Sequence, residues 1–158
     1  MAKFPAFSLP GSDGKTWSLK DLKGKSFVVY FYPKDATPGC TVEACDFRDH
    51  QPDFTKVNIP VFGISPDPLT SHAKFIAKQN LNFVLLTDES HELAEKIGVW
   101  KEKSMYGKSF MGIERSTFLI GADGSIVQEW RKVKVAGHVD DVLNAAKNLS
   151  KTAKAAKI

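Results

Sequence analysis

Apolar and polar positions along the chain alternate between strand-like runs and helix-like stripes. Continuous apolar runs at Ser26–Tyr32, Val61–Ser65 and Phe83–Leu86 predict buried strands, since a strand covered on both faces carries few polar side chains. A helical pattern from about Cys40 to His50 separates the first two runs, and one from Asp67 to about Gln79 separates the second and third. This order indicates parallel strands joined by right-handed crossover helices.

Turn and capping residues divide the chain further. Residues 6–18 form short extended pieces around a turn at Gly11–Gly14. Thr87–Ser90 offers capping residues for a short helix that ends at Gly98. Pro52 is expected to break or kink the first helix, or to stand in the first turn of a second one.

The C-terminal part of the chain predicts a hairpin and a final helix. Ile113–Ile120 and Ser125–Arg131 flank the turn Ala122–Gly124, and the last helix starts near His138. The segment Trp100–Met111, rich in Lys, Ser and Gly, is expected to be a long surface loop. The whole order predicts an α/β fold of thioredoxin-like type, a mixed central sheet with helices on both faces.

Length and charge limit the classes of function. The 158 residues suit one domain, expected over residues 1–150, followed by a basic, frayed tail over 151–158. The net charge of +4 arises from four lysines close to the C-terminus, which are more typical of a solvated helix end than of a nucleic-acid arm. No apolar run approaches the roughly 20 residues that span a bilayer, and no secretory signal is seen. A cytoplasmic protein without a nucleic-acid or membrane partner is expected.

The chain has two cysteines, Cys40 and Cys45, and their spacing is compatible with several functions for the pair. A bridge closing so short a loop would remove little chain entropy, so stability is a poor reason for the pair. Three explanations of the pair remain: redox chemistry, a metal site that includes His50, or coincidence. Residues five apart on a helix do not share a face, which disfavours a metal. Four intervening residues also differ from the two of a thioredoxin-type disulfide reductase.

The segment from Pro33 to Cys40 has the features of a reactive thiol site. Cys40 follows a buried strand and opens a helix, where free N–H groups and the helix dipole favour a thiolate. The hydroxyl of Thr37 is placed to donate a hydrogen bond to the sulfur or to a bound oxygen. Pro33 and Pro38 stiffen the loop and remove competing N–H groups.

These residues resemble the peroxiredoxin signature Pro-x-x-x-Thr-x-x-Cys, here Pro33, Thr37 and Cys40. The second cysteine, Cys45, is similar to that of the peroxiredoxin Q subfamily, also called bacterioferritin comigratory protein. The resemblance covers roughly residues 4–150 and includes the strand Glu114–Phe118.

The resemblance implies a role for each matching residue. It makes Cys40 the peroxidatic cysteine, Cys45 the resolving cysteine, Thr37 a hydrogen-bond partner of thiolate and peroxide, and Pro33 a shield against water. Arg115 completes the site, because a guanidinium stabilises a nearby thiolate and holds peroxide oxygens through several donors. Supporting residues are Glu43, which orients that arginine, and Gly39, which precedes Cys40.

The function that the resemblance implies is a thiol peroxidase without metal or organic cofactor. It reduces hydroperoxides through a sulfenic acid and a Cys40–Cys45 disulfide, which thioredoxin, or alternatively glutaredoxin, recycles; a monomer is expected. Two rival hypotheses are a disulfide oxidoreductase and a non-catalytic protein that binds nucleic acid through residues 147–158. The four histidines, His50, His72, His91 and His138, are expected at the surface.

Overall fold

The computed structural model describes residues 2–156, with side chains described as far as Thr152. In chain order the strands are β1 Ser8–Pro10, β2 Thr16–Ser18, β3 Phe27–Phe31, β4 Val61–Ser65, β5 Val84–Thr87, β6 Trp100–Met105, β7 Lys108–Ile113, β8 Ser116–Ile120 and β9 Ile126–Trp130. The α-helices are α1 Pro38–Lys56, α2 Leu69–Gln79, α3 Glu92–Ile97 and α4 His138–Ala156, and a 3₁₀ turn spans Lys20–Leu22.

A five-stranded mixed sheet in the order β5-β4-β3-β8-β9 forms the centre of the molecule. Its middle strand, β3, pairs parallel with β4 and antiparallel with β8, so that Tyr30 lies between Gly63 and Thr117. The strands β1 and β2 pair with each other, as do β6 and β7. The β3–α1 connection leaves the carboxyl end of the parallel strands β3 and β4, where sites in open α/β sheets commonly lie.

Alternate residues of β3 enter two apolar layers on opposite faces of the sheet. Val28 and Tyr30 pack with residues of α1, α2 and α4, whereas Val29 and Phe31 pack in the layer that contains α3. Side chains on a strand point alternately to its two faces, which accounts for the continuous apolar run. The thioredoxin-like prediction, a mixed sheet with helices on both faces, is confirmed.

Two of the outcomes expected at Pro52, a break in the helix and the start of a second helix, are wrong, because α1 runs from Pro38 to Lys56 without interruption. Proline cannot donate the hydrogen bond that the carbonyl of residue 48 would receive in a regular helix. The side-chain amide of Asn82 donates to that Arg48 oxygen over 3.2 Å. A partner from outside the helix therefore satisfies the acceptor that Pro52 leaves open.

The loop expected at Trp100–Met111 is a β-hairpin instead, made of β6 and β7. Tyr106 and Gly107 between the strands have positive φ angles of 54° and 76°. Two successive residues of positive φ are typical of the type I′ turn that joins tight hairpins. Polar and charged side chains along both exposed strands conceal the alternation that a half-buried strand would show.

Two of the histidines expected at the surface are buried. His72 has no exposed surface and His138 is 5% exposed. The nitrogen Nε2 of His138 lies 2.7 Å from the hydroxyl oxygen of Thr117, and burial lowers the pKa of His138 to about 4. Each ring is accommodated by hydrogen-bond partners from distant parts of the chain, which the local sequence does not reveal.

The last helix, α4, remains helical as far as Ala156, and residues 157–158 lie outside the described part of the chain. The fraying expected over 151–158 concerns motion in solution and stays a prediction. Within residues 2–156, no helix is long and apolar enough to cross a membrane.

Candidate active site

Cys40 lies in the first turn of α1, just beyond the end of β3. Thr37 is extended and precedes the helix, and Pro38 is its first residue. The first helical hydrogen bond runs from the Thr41 N–H to the Thr37 carbonyl over 2.9 Å. The N–H groups of Gly39 and Cys40 come before that bond, so the positive end of the helix dipole faces the Cys40 thiol.

Arg115, between β7 and β8, connects Cys40 to a buried acid. Its Nη2 donates to Cys40 Sγ over 3.2 Å, and its Nη1 donates to Glu43 Oε1 over 2.6 Å. A Cβ atom on Gly39 would stand 3.3 Å from Nη2, tighter than most contacts of a real Cβ. The absence of a side chain at Gly39 therefore gives the guanidinium room beside the thiol.

The charges of this cluster are strongly coupled. Glu43 has no exposed surface, and burial raises its pKa to about 7 against the opposing effect of Arg115. Burial also works against the charge of Arg115, but Glu43 and Cys40 raise its pKa, so the guanidinium remains a cation. Among the described residues, Glu43 Oε2 has no hydrogen-bond partner. One cation thus faces two ionisable acidic groups.

Thr37 is close to Cys40 in sequence, but its hydroxyl does not donate to the sulfur in this structure. It donates to the carbonyl of Lys34 over 2.7 Å. A hydroxyl that has used its hydrogen in this way still has lone pairs that accept. The geometry therefore offers Thr37 Oγ1 as an acceptor, where the sequence suggested a donor.

The two cysteines are free thiols on the same helix and point to different places. Cys45 is half-buried, and its Sγ donates to Gln79 Oε1 at the end of α2 over 3.6 Å. Residues five apart in a regular helix have Cα atoms about 8–9 Å apart. A disulfide needs Cα atoms within about 4.4–6.8 Å of each other, so this helix would have to open before a bridge could form.

The β3–α1 loop (residues 33–37) is held by contacts that the sequence analysis missed. Pro33, half-buried, opens the loop, and Asp35 is buried within it. The carboxylate of Asp35 accepts from the Tyr32 hydroxyl over 2.6 Å and from the Ser71 hydroxyl over 2.8 Å, and contacts His72 Nδ1 at 2.7 Å. The sequence offered two weak signals of this contact: an aspartate two positions after the signature proline, and a histidine near the start of the next helix.

The hypothesis of a metal site at the two cysteines and His50 is not supported in the part of the chain that the structure describes. Over residues 2–156, no group of three His, Cys, Asp or Glu side chains is placed to hold a metal ion. His50 does not join the cysteines: its Nδ1 lies 2.7 Å from the Asp46 carbonyl and its Nε2 3.0 Å from Asp140 Oδ1.

Comparisons with known proteins place the chain. A sequence profile of the AhpC/TSA family matches residues 1–129. A protein of Bacillus subtilis named peroxiredoxin Bcp is 53% identical over 148 residues, which is 94% of each chain.

Solved structures of similar sequence share the fold. A structure of peroxiredoxin Q from Xanthomonas campestris is 48% identical, with a TM-score of 0.86, and covers 91% of each chain. A second structure, of the Xanthomonas campestris bacterioferritin comigratory protein, comes from trapped intermediate and ligand complexes related to its alkyl peroxide reduction activity. It is 47% identical with a TM-score of 0.86, over 91% of this chain and 92% of that one. The chain therefore belongs to the AhpC/TSA family, within its peroxiredoxin Q and Bcp branch.

Proposed function

We propose that this protein is a thiol-dependent peroxidase that reduces hydrogen peroxide and organic hydroperoxides. The observation that carries the proposal is the Arg115 guanidinium 3.2 Å from Cys40 Sγ, at the N-terminus of a helix. A cation and free N–H groups directed at a sulfur favour its thiolate, which is the nucleophilic form. The alkyl peroxide reduction described for the Xanthomonas campestris relative adds support.

In the first step, the Cys40 thiolate attacks one oxygen of the peroxide. An S–O bond forms while the O–O bond breaks, and the departing oxygen takes a proton from solvent and leaves as water or an alcohol. Cys40 is thereby oxidised to a sulfenic acid. Negative charge develops on the departing oxygen, and Arg115 and the first N–H groups of α1 stabilise it.

Thr37 and Glu43 orient the reacting groups. Because the Thr37 hydroxyl already donates to Lys34, its oxygen accepts a hydrogen bond from the O–H of the peroxide. Glu43 holds one nitrogen of the Arg115 guanidinium, so that Nη2 remains directed at the sulfur. Pro33 narrows the access of water to the thiol.

In the second step, the thiol of Cys45 attacks the Cys40 sulfenic acid and water leaves as the disulfide forms. Thioredoxin, or alternatively glutaredoxin, then reduces this disulfide by thiol exchange. A half-buried Cys45, more accessible than Cys40, is suited to attack by a protein thiol. The proposal includes a monomer in the cytoplasm, where free thiols are maintained.

The test is NADPH consumption in the presence of thioredoxin reductase, thioredoxin and a series of peroxides. The proposal predicts peroxide-dependent NADPH oxidation that requires this protein. Reduction of insulin by the protein without peroxide, together with no peroxide-dependent turnover, would favour the disulfide oxidoreductase instead.

A further inference from the structure

The β3–α1 loop (residues 33–37) is fixed to helix α2 and to the connection between β4 and α2 through one buried aspartate. The side chain of Asp35 is 3% exposed and binds Ser71 and His72 in the first turn of α2. Its backbone N–H donates to Asp67 Oδ2 over 2.8 Å, beyond the end of β4. A carboxylate with this many partners fixes both the position and the direction of the chain that carries it.

Both ring nitrogens of His72 face oxygen atoms of other elements. Its Nε2 lies 3.1 Å from the Leu86 carbonyl of β5, which can only accept, so Nε2 bears a hydrogen. Burial opposes ionisation of Asp35, but hydrogen bonds from His72 and Tyr32 lower the pKa of that carboxyl below its ordinary value. The other ring nitrogen, Nδ1, lies 2.7 Å from that carboxyl group, so His72 is held between Asp35 and β5.

The residue next to this anchor has a strained backbone. Ala36 has a φ of 62°, in the left-handed region that residues with a Cβ rarely adopt. It stands between Asp35 and Thr37, the residue that precedes α1. Such a conformation persists only where the surroundings hold it, and here the anchored Asp35 lies on one side and the helix on the other.

We infer that Asp35 and His72 are positioning residues for the peroxidase reaction. Their buried contact, 2.7 Å between His72 Nδ1 and Asp35 Oδ2, holds the strained loop so that Thr37 presents its oxygen to the peroxide in front of Cys40. The inference rests on the proposed function. Neither residue touches the sulfur in the structure, whereas Arg115 does, so the pair acts on the placement of the peroxide and not on the thiol itself.

This division of roles predicts a selective defect. In a Cys45→Ser background, only Cys40 is left to react, and its rates with hydrogen peroxide and with iodoacetamide can be measured separately. Alkylation needs the thiolate but no bound peroxide. We expect Asp35→Asn and His72→Asn to lower the peroxide rate about tenfold to a hundredfold, as misplacement of a reacting group does, while alkylation changes little.

Two further variants keep the test valid if those proteins fold poorly. Ser71→Ala removes one hydrogen bond to Asp35 and leaves its contact with His72, so we expect a smaller fall in the ratio of the peroxide rate to the alkylation rate. Ala36→Gly removes the strain and should partly restore that ratio in the His72→Asn protein. His138→Asn, which perturbs another buried histidine paired with Thr117, is the matched control and should leave the ratio unchanged.

The ratio of the peroxide rate to the alkylation rate tests the inference. A lower ratio in the Asp35, His72 and Ser71 variants, with the control unchanged, supports the inference. An unchanged ratio overturns it, whether the two rates stay high or fall together. A parent protein whose Cys40 does not react with peroxide at all would instead overturn the proposed function.

Discussion

Arg115 donates to Cys40 Sγ over 3.2 Å across a separation of 75 positions in the chain. The sheet brings the two together, because Arg115 directly precedes β8 and β8 pairs with β3, whose end leads to Cys40. The second nitrogen of the guanidinium is held by Glu43, one turn further along α1. The thiol therefore faces a cation whose orientation is fixed.

The first prediction concerns the shape of this cation. Arg115→Lys keeps the charge but loses the planar fork that binds Glu43 and Cys40 together. We expect the rate of Cys40 oxidation by hydrogen peroxide to fall roughly 10²-fold, as loss of a well-placed donor does in other enzymes. Stopped-flow measurement of peroxide consumption provides the rate.

Arg131→Lys is the matched control for this change. Arg131 donates to the carbonyls of Ile97 and Gly98, away from the thiol, so the peroxide rate should be unaffected. Equal rates for Arg115→Lys and wild type would remove Arg115 from the site.

The second prediction concerns the division of labour between the cysteines. Cys45→Ser should still react once with peroxide, since Cys40 and its partners are untouched, but thioredoxin-dependent turnover should be lost. Mass spectrometry after treatment with a sulfenic-acid trap should find the adduct on Cys40. Sustained turnover of Cys45→Ser with thioredoxin would show that Cys45 is not needed for resolution.

The third prediction is a local change of structure on oxidation. Because the helical spacing of Cys40 and Cys45 is too long for a disulfide, α1 must unwind over about residues 39–46 when the bridge forms. The contact of Cys45 with Gln79 should break in the same step. Amide hydrogen exchange should therefore be faster across 41–46 in the oxidised protein than in the reduced protein.

Pro33 and Pro38 should limit the spread of this unwinding towards the N-terminus. Equal protection across 41–46 in both forms, with the Cys40–Cys45 bond verified by mass spectrometry, would contradict the unwinding. Absence of that bond after one equivalent of peroxide would contradict the assignment of Cys45 itself.

Much of the fold follows from the sequence because strands buried on both faces are apolar throughout. The apolar runs predicted as buried strands are β3 and β4 in the structure, and Val61–Ser65 is found with the predicted bounds. The continuous helix around Pro52 could not be predicted from the local sequence. A proline there removes one helical hydrogen bond, but the compensating amide of Asn82 comes from beyond α2, which no local pattern contains.

The candidate site also has one part that the sequence predicts and one part that it does not. Thr37, Cys40 and Glu43 lie close together in sequence, and the family resemblance indicates Arg115, so the residues of the thiol cluster can be predicted from the sequence. The anchor of the β3–α1 loop is not, because Asp35 and His72 are 37 positions apart and a lone histidine near a helix start is usually solvated. Only the packing of α2 against the loop identifies the pair.

The fourth prediction concerns pH and the stability of the reduced protein. The pKa of Glu43 is raised by burial from 4.5 to about 7, so the folded protein keeps a proton that the unfolded chain releases between these values. This contribution to stability is complete below pH 4.5 and is lost as pH rises to 7. The loss is on the order of 3 kcal/mol in the free energy of unfolding.

His138 has the opposite effect over much of this range. Burial lowers its pKa from 6.5 to about 4, so its contribution is complete above pH 6.5 and is lost as pH falls towards 4. Urea unfolding of the wild type should therefore show a weak dependence on pH. Glu43→Gln should make stability rise with pH up to 6.5; an unchanged pH dependence in this variant would contradict the assignment.

The most direct test of the peroxidase mechanism is a single turnover without any reductant. Reduced protein is mixed with one equivalent of hydrogen peroxide, and the remaining peroxide and free thiols are measured together. Wild type should consume the peroxide, lose both thiols and yield a Cys40–Cys45 linked peptide, while Cys40→Ser leaves the peroxide intact. Consumption of peroxide by Cys40→Ser at the wild-type rate would contradict the account.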